Sequence, residues 1–139
     1  MKQFIKFFTA LAFTGIIGTN AAFSQVTVID SGTCGANLTW KLTNNGTLTV
    51  SGSGNMYDYS YSTTPWCSSY WNFITTVVID SGVTIIGNST FMYHRSITFV
   101  TIGNSVTTIG DAAFYDCKKL QTVTIPNSVT TIGDGAFYN

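Results

Sequence analysis

The feature of this sequence that most constrains its fold is a stretch written three times with a period of 23 residues. The copies cover residues 77–99, 100–122 and 123–139, and the third stops before its last positions. Apolar residues and glycines recur in fixed columns: Ile79, Ile102 and Ile125; Val83, Val106 and Val129; Ile86, Ile109 and Ile132; Gly87, Gly110 and Gly133; Phe91, Phe114 and Phe137. Such a period predicts a solenoid, because each coil can bury its core only against its neighbours.

The first half of each copy has the pattern of a short strand followed by a turn. In the second copy Val100 and Ile102 alternate with Thr101, which places the two aliphatic side chains on the core face and the threonine outside. Gly-Asn-Ser at 103–105 is turn chemistry and should end the strand. The fold is therefore expected to be mainly β, with one short strand in every coil.

The second half of each copy is expected to hold a short helical turn. Gly110 would allow a backbone conformation that a Cβ penalises. Asp111 would cap the turn by accepting a hydrogen bond from one of its backbone N–H groups, and Asp134 would do the same in the next coil. Phe114 lies on this turn and should stack with the other phenylalanines of its column as an aromatic spine.

Two strings, VTIGNSVTTIGDAAFYDCKKLQT and VTIPNSVTTIGDGAFYN, resemble the BspA-like class of leucine-rich repeats. The resemblance implies a secreted or cell-surface protein that adheres to host matrix proteins, other microbes or mucosal surfaces. The first copy departs from the pattern, with His94 in the cysteine column and Asn-Ser-Thr at 88–90 in place of small residues. The segment 31–66 resembles, more loosely, the head that often precedes these repeats.

The head, residues 25–76, is predicted to form a β-hairpin that caps the first coil. The segments 38–43 and 47–52 alternate in hydrophobicity, and Asn-Asn-Gly at 44–46 between them is a strong hairpin signal. An aromatic loop follows, with Tyr57, Tyr59, Tyr61, Trp66, Tyr70 and Trp71. Its rings could form a sugar-binding platform, but the cap is the preferred interpretation because the end of a solenoid must be covered.

Residues 1–24 have the three-part order of a secretory signal peptide. Two lysines precede a run of twelve uncharged, mostly apolar residues, and small residues follow near a cut expected before Gln25. The run is shorter than the roughly 20 residues of a membrane span, so no span is expected after the leader is removed. Removal leaves four basic residues against six aspartates, and the mature chain is then expected to be secreted or attached to the cell surface.

The reactive side chains give little basis for catalysis. His94 is the single histidine, no glutamate occurs, and Asp80, Asp111 and Asp134 recur at turn positions where capping explains them. No metal-ligand spacing of cysteine and histidine occurs, and no phosphate-loop pattern, so neither a metal nor a cofactor is expected. The sequence predicts a protein that is not an enzyme.

Three cysteines are present, and export would permit a disulfide. Cys34 and Cys67 both fall in the head and are the natural pair, although their spacing alone cannot establish that they are close. Cys117 occupies the cysteine column of the repeat and is expected to be a small buried side chain.

The binding surface is predicted on the outward face of the repeat strands. Its residues are Thr76, Val78, Phe99, Thr101, Thr122 and Thr124. An uncharged, threonine-rich face suits a protein or glycan ligand. Only 9% of residues are charged, and no basic stripe suggests nucleic acid.

Two further hypotheses concern what surrounds the repeats. In the alternative function, the chain is the non-catalytic targeting module at the front of a larger secreted enzyme. The chain is also expected to be a fragment, because the third copy is short and no polar end coil follows it. Its last coil should then present an uncovered apolar face and self-associate.

Overall fold

The computed structural model describes residues 24–139 and is built mainly of β-strands. In chain order the elements are β1 (Val28–Gly35), β2 (Leu38–Thr43), β3 (Thr47–Gly52), β4 (Gly54–Asn55), the short helix α1 (Cys67–Tyr70), β5 (Thr76–Ile79), β6 (Val83–Ile86), β7 (Phe99–Ile102), β8 (Thr108–Ile109), β9 (Thr122–Thr124) and β10 (Thr131–Ile132). The predicted leader falls almost wholly outside the described residues. In the described part of the chain, no helix is long and apolar enough to span a membrane.

The larger of two sheets joins the head to the repeats without a break. Its strand order is β1-β2-β3-β5-β7-β9. The first three strands are antiparallel, and the predicted hairpin between β2 and β3 is present, with Gly46 at a φ of 79° in its turn. From β3 onward every pairing is parallel, as a solenoid requires. The head is therefore a cap on one side and the first coil of the solenoid on the other.

A second, smaller sheet was not predicted. Four short strands pair in the order β10-β8-β6-β4, and all of their pairings are parallel. From the sequence, Val106 and Ile109 are predicted to turn the chain back over the core. Both side chains lie in the core, and Ile109 belongs to β8, a strand of this second sheet. Each coil thus has two sheet walls.

The core between the walls contains the predicted aromatic spine, with one addition. Phe91, Phe114 and Phe137 stack with ring centroids 5.1 and 5.3 Å apart and nearly parallel planes. Trp66 of the head extends the stack, 5.5 Å from Phe91, and Trp40 meets Trp66 edge-on at 5.6 Å. The head therefore supplies the first ring of the spine and covers its end, as the cap interpretation predicted.

The helical turn predicted after each Gly column takes the form of hydrogen-bonded turns. The amide of Ala113 donates to the carbonyl of Gly110, and that of Tyr115 to the carbonyl of Ala112. Ala112 has a positive φ of 51°, which no α-helix continues. Within the described residues, α1 is the only α-helix.

Two of the roles predicted for residues at this turn were wrong. Gly110 does not have a positive φ; glycine is required because an added Cβ would lie 2.7 Å from the amide nitrogen of Asn88 in the preceding coil. Asp111 does not cap its own turn. Its carboxylate accepts a 2.8 Å hydrogen bond from the amide of Asp134, one coil further on.

The same bond recurs between successive coils as a ladder of side-chain acceptors. The carboxylate of Asp58 accepts from the amide of Asn88 at 2.8 Å, and the side-chain oxygen of Asn88 accepts from the amide of Asp111 at 2.7 Å. Each acceptor therefore binds the residue of its own column in the next coil. The short polar side chains of this column connect neighbouring coils just after the strands of the smaller sheet.

Candidate functional site

The six residues predicted as a binding face form two straight rows across the larger sheet. Strand pairing aligns Thr47, Thr76, Phe99 and Thr122 in the first row. It aligns Thr49, Val78, Thr101 and Thr124 in the second. We call these eight residues the strand face. The core side chains of β5 and β7 alternate with them, so the strand period places all eight on the outer surface.

The strand face is uncharged and has one large apolar side chain near its middle. Phe99 is 65% exposed, whereas Val77 and Ile79 on the preceding strand are buried. Thr101, Thr122 and Thr124 around it are exposed. Lys41 on the neighbouring strand β2 pairs in register with Thr49, at the border of the strand face. A sheet of this kind can present hydroxyl groups and one ring to a ligand, and none of its eight outward side chains is ionisable.

His94 is part of the core of the first coil. It is 1% exposed, and its Nδ1 lies 3.2 Å from the carbonyl oxygen of Met92. Its Nε2 is buried without a hydrogen-bond partner. Burial lowers the pKa of the imidazole, although hydrogen bonds to the backbone of Met92 and Phe91 oppose the shift. The ring therefore stays neutral near pH 7 and has no access to a substrate.

The three cysteines are buried, free thiols. Cys117 is fully buried, as predicted, and its thiol lies 3.2 Å from the carbonyl oxygen of Phe91 in the preceding coil. Burial raises its pKa to about 12 and that of Cys34 to about 11. Cys67 donates to the carbonyl of Ser62 at 2.8 Å. The predicted bond between Cys34 and Cys67 is not formed in this structure.

Metal-binding side chains do not converge in the described part of the chain. No group of three or more His, Cys, Asp or Glu side chains lies close enough to hold an ion there. Asp111 belongs to the ladder between coils, and Asp134 donates its backbone amide to that ladder. The carboxylate of Asp111 thus has a structural role at a coil junction.

The structure also forms an aromatic cleft that the sequence did not identify. Its lining combines Tyr61 and Trp71 from the head with Met92, Tyr93 and Arg95 from the first repeat, around a cavity of about 460 Å³. Tyr61 and Trp71 had been recognised as part of an aromatic loop. The departure of the first repeat from its own pattern, Met-Tyr-His-Arg at 92–95, was the signal for the other wall.

These features define the class of protein: a β-solenoid of stacked coils with a covered first end and an exposed strand face. The family described as the BspA type leucine rich repeat region (6 copies) matches residues 67–139, which are 73 of the 139 residues. The chain belongs to this family. The match begins at Cys67, before the first copy recognised in the sequence, in agreement with a head that already forms part of a coil.

Two solved structures are similar to this chain. A leucine-rich repeat protein from Eubacterium ventriosum ATCC 27560 has 38% sequence identity and a TM-score of 0.71, over 78% of this chain and 30% of that one. The T. pallidum leucine rich repeat protein has 16% identity and a TM-score of 0.48, over 77% of this chain and 67% of that one. The chain thus spans about a third of the first relative's length. A comparison with curated proteins gave no match.

Proposed function

We propose that this chain is a non-catalytic binding module that adheres to a protein ligand through its strand face. The observation that carries the proposal is Phe99, a ring 65% exposed on a rigid sheet among exposed threonines. A large exposed ring near the centre of a patch is the kind of side chain that supplies most of the energy of an interface. Membership of a repeat family supports the proposal, because solenoids use their extended surfaces for binding.

Adhesion at a cell surface is the setting that we propose for this binding. It is supported by the signal-peptide pattern of residues 1–24 and by the resemblance that the repeats bear to a class of surface proteins. Sequencing the N-terminus of exported material is expected to give a start within a few residues of Gln25. Exported protein that still begins at Met1 would contradict a cleaved leader.

The test of the strand face compares two exposed aromatic residues. The full chain is applied to immobilised host matrix proteins and to intact microbial cells, and binding is measured by surface plasmon resonance or by cell retention. Phe99→Ala is expected to weaken binding about tenfold or more, which corresponds to about 1.4 kcal/mol. Tyr138→Ala is the matched control, since Tyr138 is 64% exposed but lies outside the strand face.

Two results would overturn the proposal. One is binding by Phe99→Ala that equals binding by the Tyr138→Ala control. The other is binding that survives Phe99→Ala and disappears once the glycans of the immobilised protein are removed. The alternative, a targeting module of a larger enzyme, stays a prediction, because no feature of the described residues favours it over adhesion.

A further inference from the structure

The aromatic cleft shares no residue with the strand face, and three rings lie at its wall. Tyr61 meets Trp71 edge-on, with ring centroids 5.7 Å apart, and meets Tyr93 edge-on at 5.3 Å. One face of Trp71 stacks on the buried ring of His94 at 5.6 Å. The rings are thus held by the core of the first coil on one side, while Tyr61 remains 61% exposed.

A fixed guanidinium group completes the cleft. The Nε of Arg95 donates to the Oδ2 of Asp116 at 2.7 Å, and Lys118 lies 3.5 Å from the other carboxylate oxygen. The guanidinium carbon of Arg95 is 5.7 Å from the centroid of Tyr93. The side chain is still 54% exposed, and its Nη1 has no hydrogen-bond partner among residues 24–139. It is therefore a positioned donor with unused capacity.

The charge of this donor is partly offset by the carboxylate of Asp116 beside the cleft. Partial burial would raise the pKa of Asp116, but the hydrogen bond and charge of Arg95, with the charge of Lys118, lower it overall. The carboxylate is consequently ionised at neutral pH and is shared by Arg95 and Lys118, so the three side chains together keep one net positive charge.

Partly exposed rings beside an oriented donor match the two kinds of surface on a pyranose sugar. The ring carbons of a pyranose present C–H groups that pack against aromatic faces, and its rim of hydroxyl groups accepts hydrogen bonds from N–H donors. A cavity of about 460 Å³ is in the size range of small-ligand sites and has room for one or two sugar units.

We propose that the aromatic cleft binds a pyranose unit of a glycan. Tyr61, Trp71 and Tyr93 supply the rings against which the sugar packs, and Arg95 donates to its hydroxyl groups. This site is separate from the strand face, so the chain has one surface for a protein ligand and a second one for a sugar. Of the aromatic loop in the head, Tyr61 and Trp71 line this cleft, while Trp66 belongs to the core.

Tryptophan emission provides a direct measurement. Trp40 and Trp66 are buried at 3% and 0% exposure, so a ligand that enters the cleft alters the surroundings of Trp71. The full chain is titrated with maltotriose, N,N′-diacetylchitobiose and digalacturonate. A saturable change in emission is expected with at least one of the two neutral sugars, because packing on rings and hydrogen bonds to hydroxyl groups require no charge on the ligand.

Variants locate the site and separate it from the strand face. Tyr61→Ala and Arg95→Gln should each weaken sugar binding tenfold or more, whereas Tyr57→Ala, a ring 52% exposed outside the cleft, should leave it unchanged. Phe99→Ala should also bind the sugar as the unaltered chain does, so failure of the strand face would leave this result intact. Circular dichroism confirms that each variant is folded.

Three outcomes would overturn the proposal. The first is no saturable response to either neutral sugar. The second is a response that Tyr61→Ala and Arg95→Gln leave unchanged. The third is a response to digalacturonate alone, which would show that the cleft recognises an anion through Arg95 and Lys118.

Discussion

At the scale of single residues, His94 shows how one substitution within a repeat changes the local chemistry. Its column holds Cys117 in the next coil, where a thiol lies against the carbonyl of Phe91. In the first coil an imidazole fills the same space, stacks on Trp71 and leaves its Nε2 without a partner. The larger ring thus supports the wall of the aromatic cleft from within the core.

Burial of this imidazole predicts a loss of stability in mild acid. Its folded pKa is lowered by burial, so the unfolded chain, with an ordinary value of 6.5, binds the proton more readily. The free energy of unfolding should therefore be at its full value above pH 6.5. At lower pH it should decrease, by at most about 1.4 kcal/mol per pH unit for one proton. Because His94 is the only histidine, no other side chain has an ordinary pKa in this range.

Denaturant unfolding between pH 7.5 and 5.5 tests this expectation. The denaturant concentration at the unfolding midpoint should decrease as the pH is lowered in the unaltered chain. It should stay nearly constant in His94→Cys, which carries the residue that the next coil has at this position. An equal decrease in both proteins would show that the imidazole is already protonated in the folded chain or that other groups control the response.

The sequence predicted the positions of residues that recur in every coil, but not the residues that they contact in neighbouring coils. Phe114, Cys117 and the threonines that the sequence predicted for the strand face were placed correctly, because each follows a strict period of strand or coil. The partners of Asp111 and the walls of the aromatic cleft were missed, since both join residues of different coils. A period shows which residues are equivalent, but not which atoms of neighbouring copies meet.

At the scale of elements, the side-chain ladder between coils explains the polar column that follows each glycine. Asn88 and Asp111 each accept a hydrogen bond from the amide one coil further on. Asp134 donates its own amide to Asp111, and its carboxylate accepts no backbone amide among the described residues. The column therefore contains a matched pair of aspartates that differ in this single bond.

Substituting the two aspartates measures what the ladder contributes. Asp111→Ala should lower the free energy of unfolding by about 1 kcal/mol, because the amide of Asp134 loses its acceptor. Asp134→Ala should have a smaller effect, within about 0.5 kcal/mol, as for most surface changes. Asp111→Asn should be nearly neutral, since Asn88 makes the same bond in the preceding coil. Equal losses for Asp111→Ala and Asp134→Ala in urea unfolding would contradict the ladder.

The strands of the larger sheet could be predicted from the sequence, whereas those of the smaller sheet could not. Val-Thr-Ile segments alternate clearly and end in turn residues, so β7 and its equivalents were evident. Strands β8 and β10 are only two residues long, and they pair because the coils stack on one another. Strands this short have no periodicity of their own to recognise.

At the scale of the whole molecule, the head and the repeats share one sheet and one core. Paired residues are 29 positions apart from β3 to β5 and 23 apart in the next two steps. Because the first coil is longer than the others, the head does not match the fixed period of the repeats. Its extra residues include the loop that carries Tyr61 and Trp71, so the irregular coil is also the one that forms the aromatic cleft.

The opposite end of the solenoid predicts self-association of the chain. Ile132 is 51% and Ile125 36% exposed, and they line a shallow cavity of about 280 Å³ with Val123 and Phe137. Exposed apolar side chains grouped in this way favour contact with another copy. Light scattering during size exclusion should therefore show dimers or larger species that Ile132→Lys converts towards monomer.

Val28→Lys is the matched control for this experiment. Val28 is 54% exposed but lies on β1, at the edge of the larger sheet opposite to β9. The control should associate as the unaltered chain does. A chain that is monomeric throughout the concentration series, or an equal effect of both lysines, would contradict association through the last coil.

The measurement that most directly tests the strand face as the binding surface uses two exposed threonines of one coil. Thr101 lies on the strand face, and Thr107 lies outside it, immediately before β8. Each is changed to glutamate, and both proteins are compared in the same matrix-binding assay. Thr101→Glu should reduce binding at least tenfold because it places a charge beside Phe99, while Thr107→Glu should bind like the unaltered chain. Equal binding by the two variants would contradict the account.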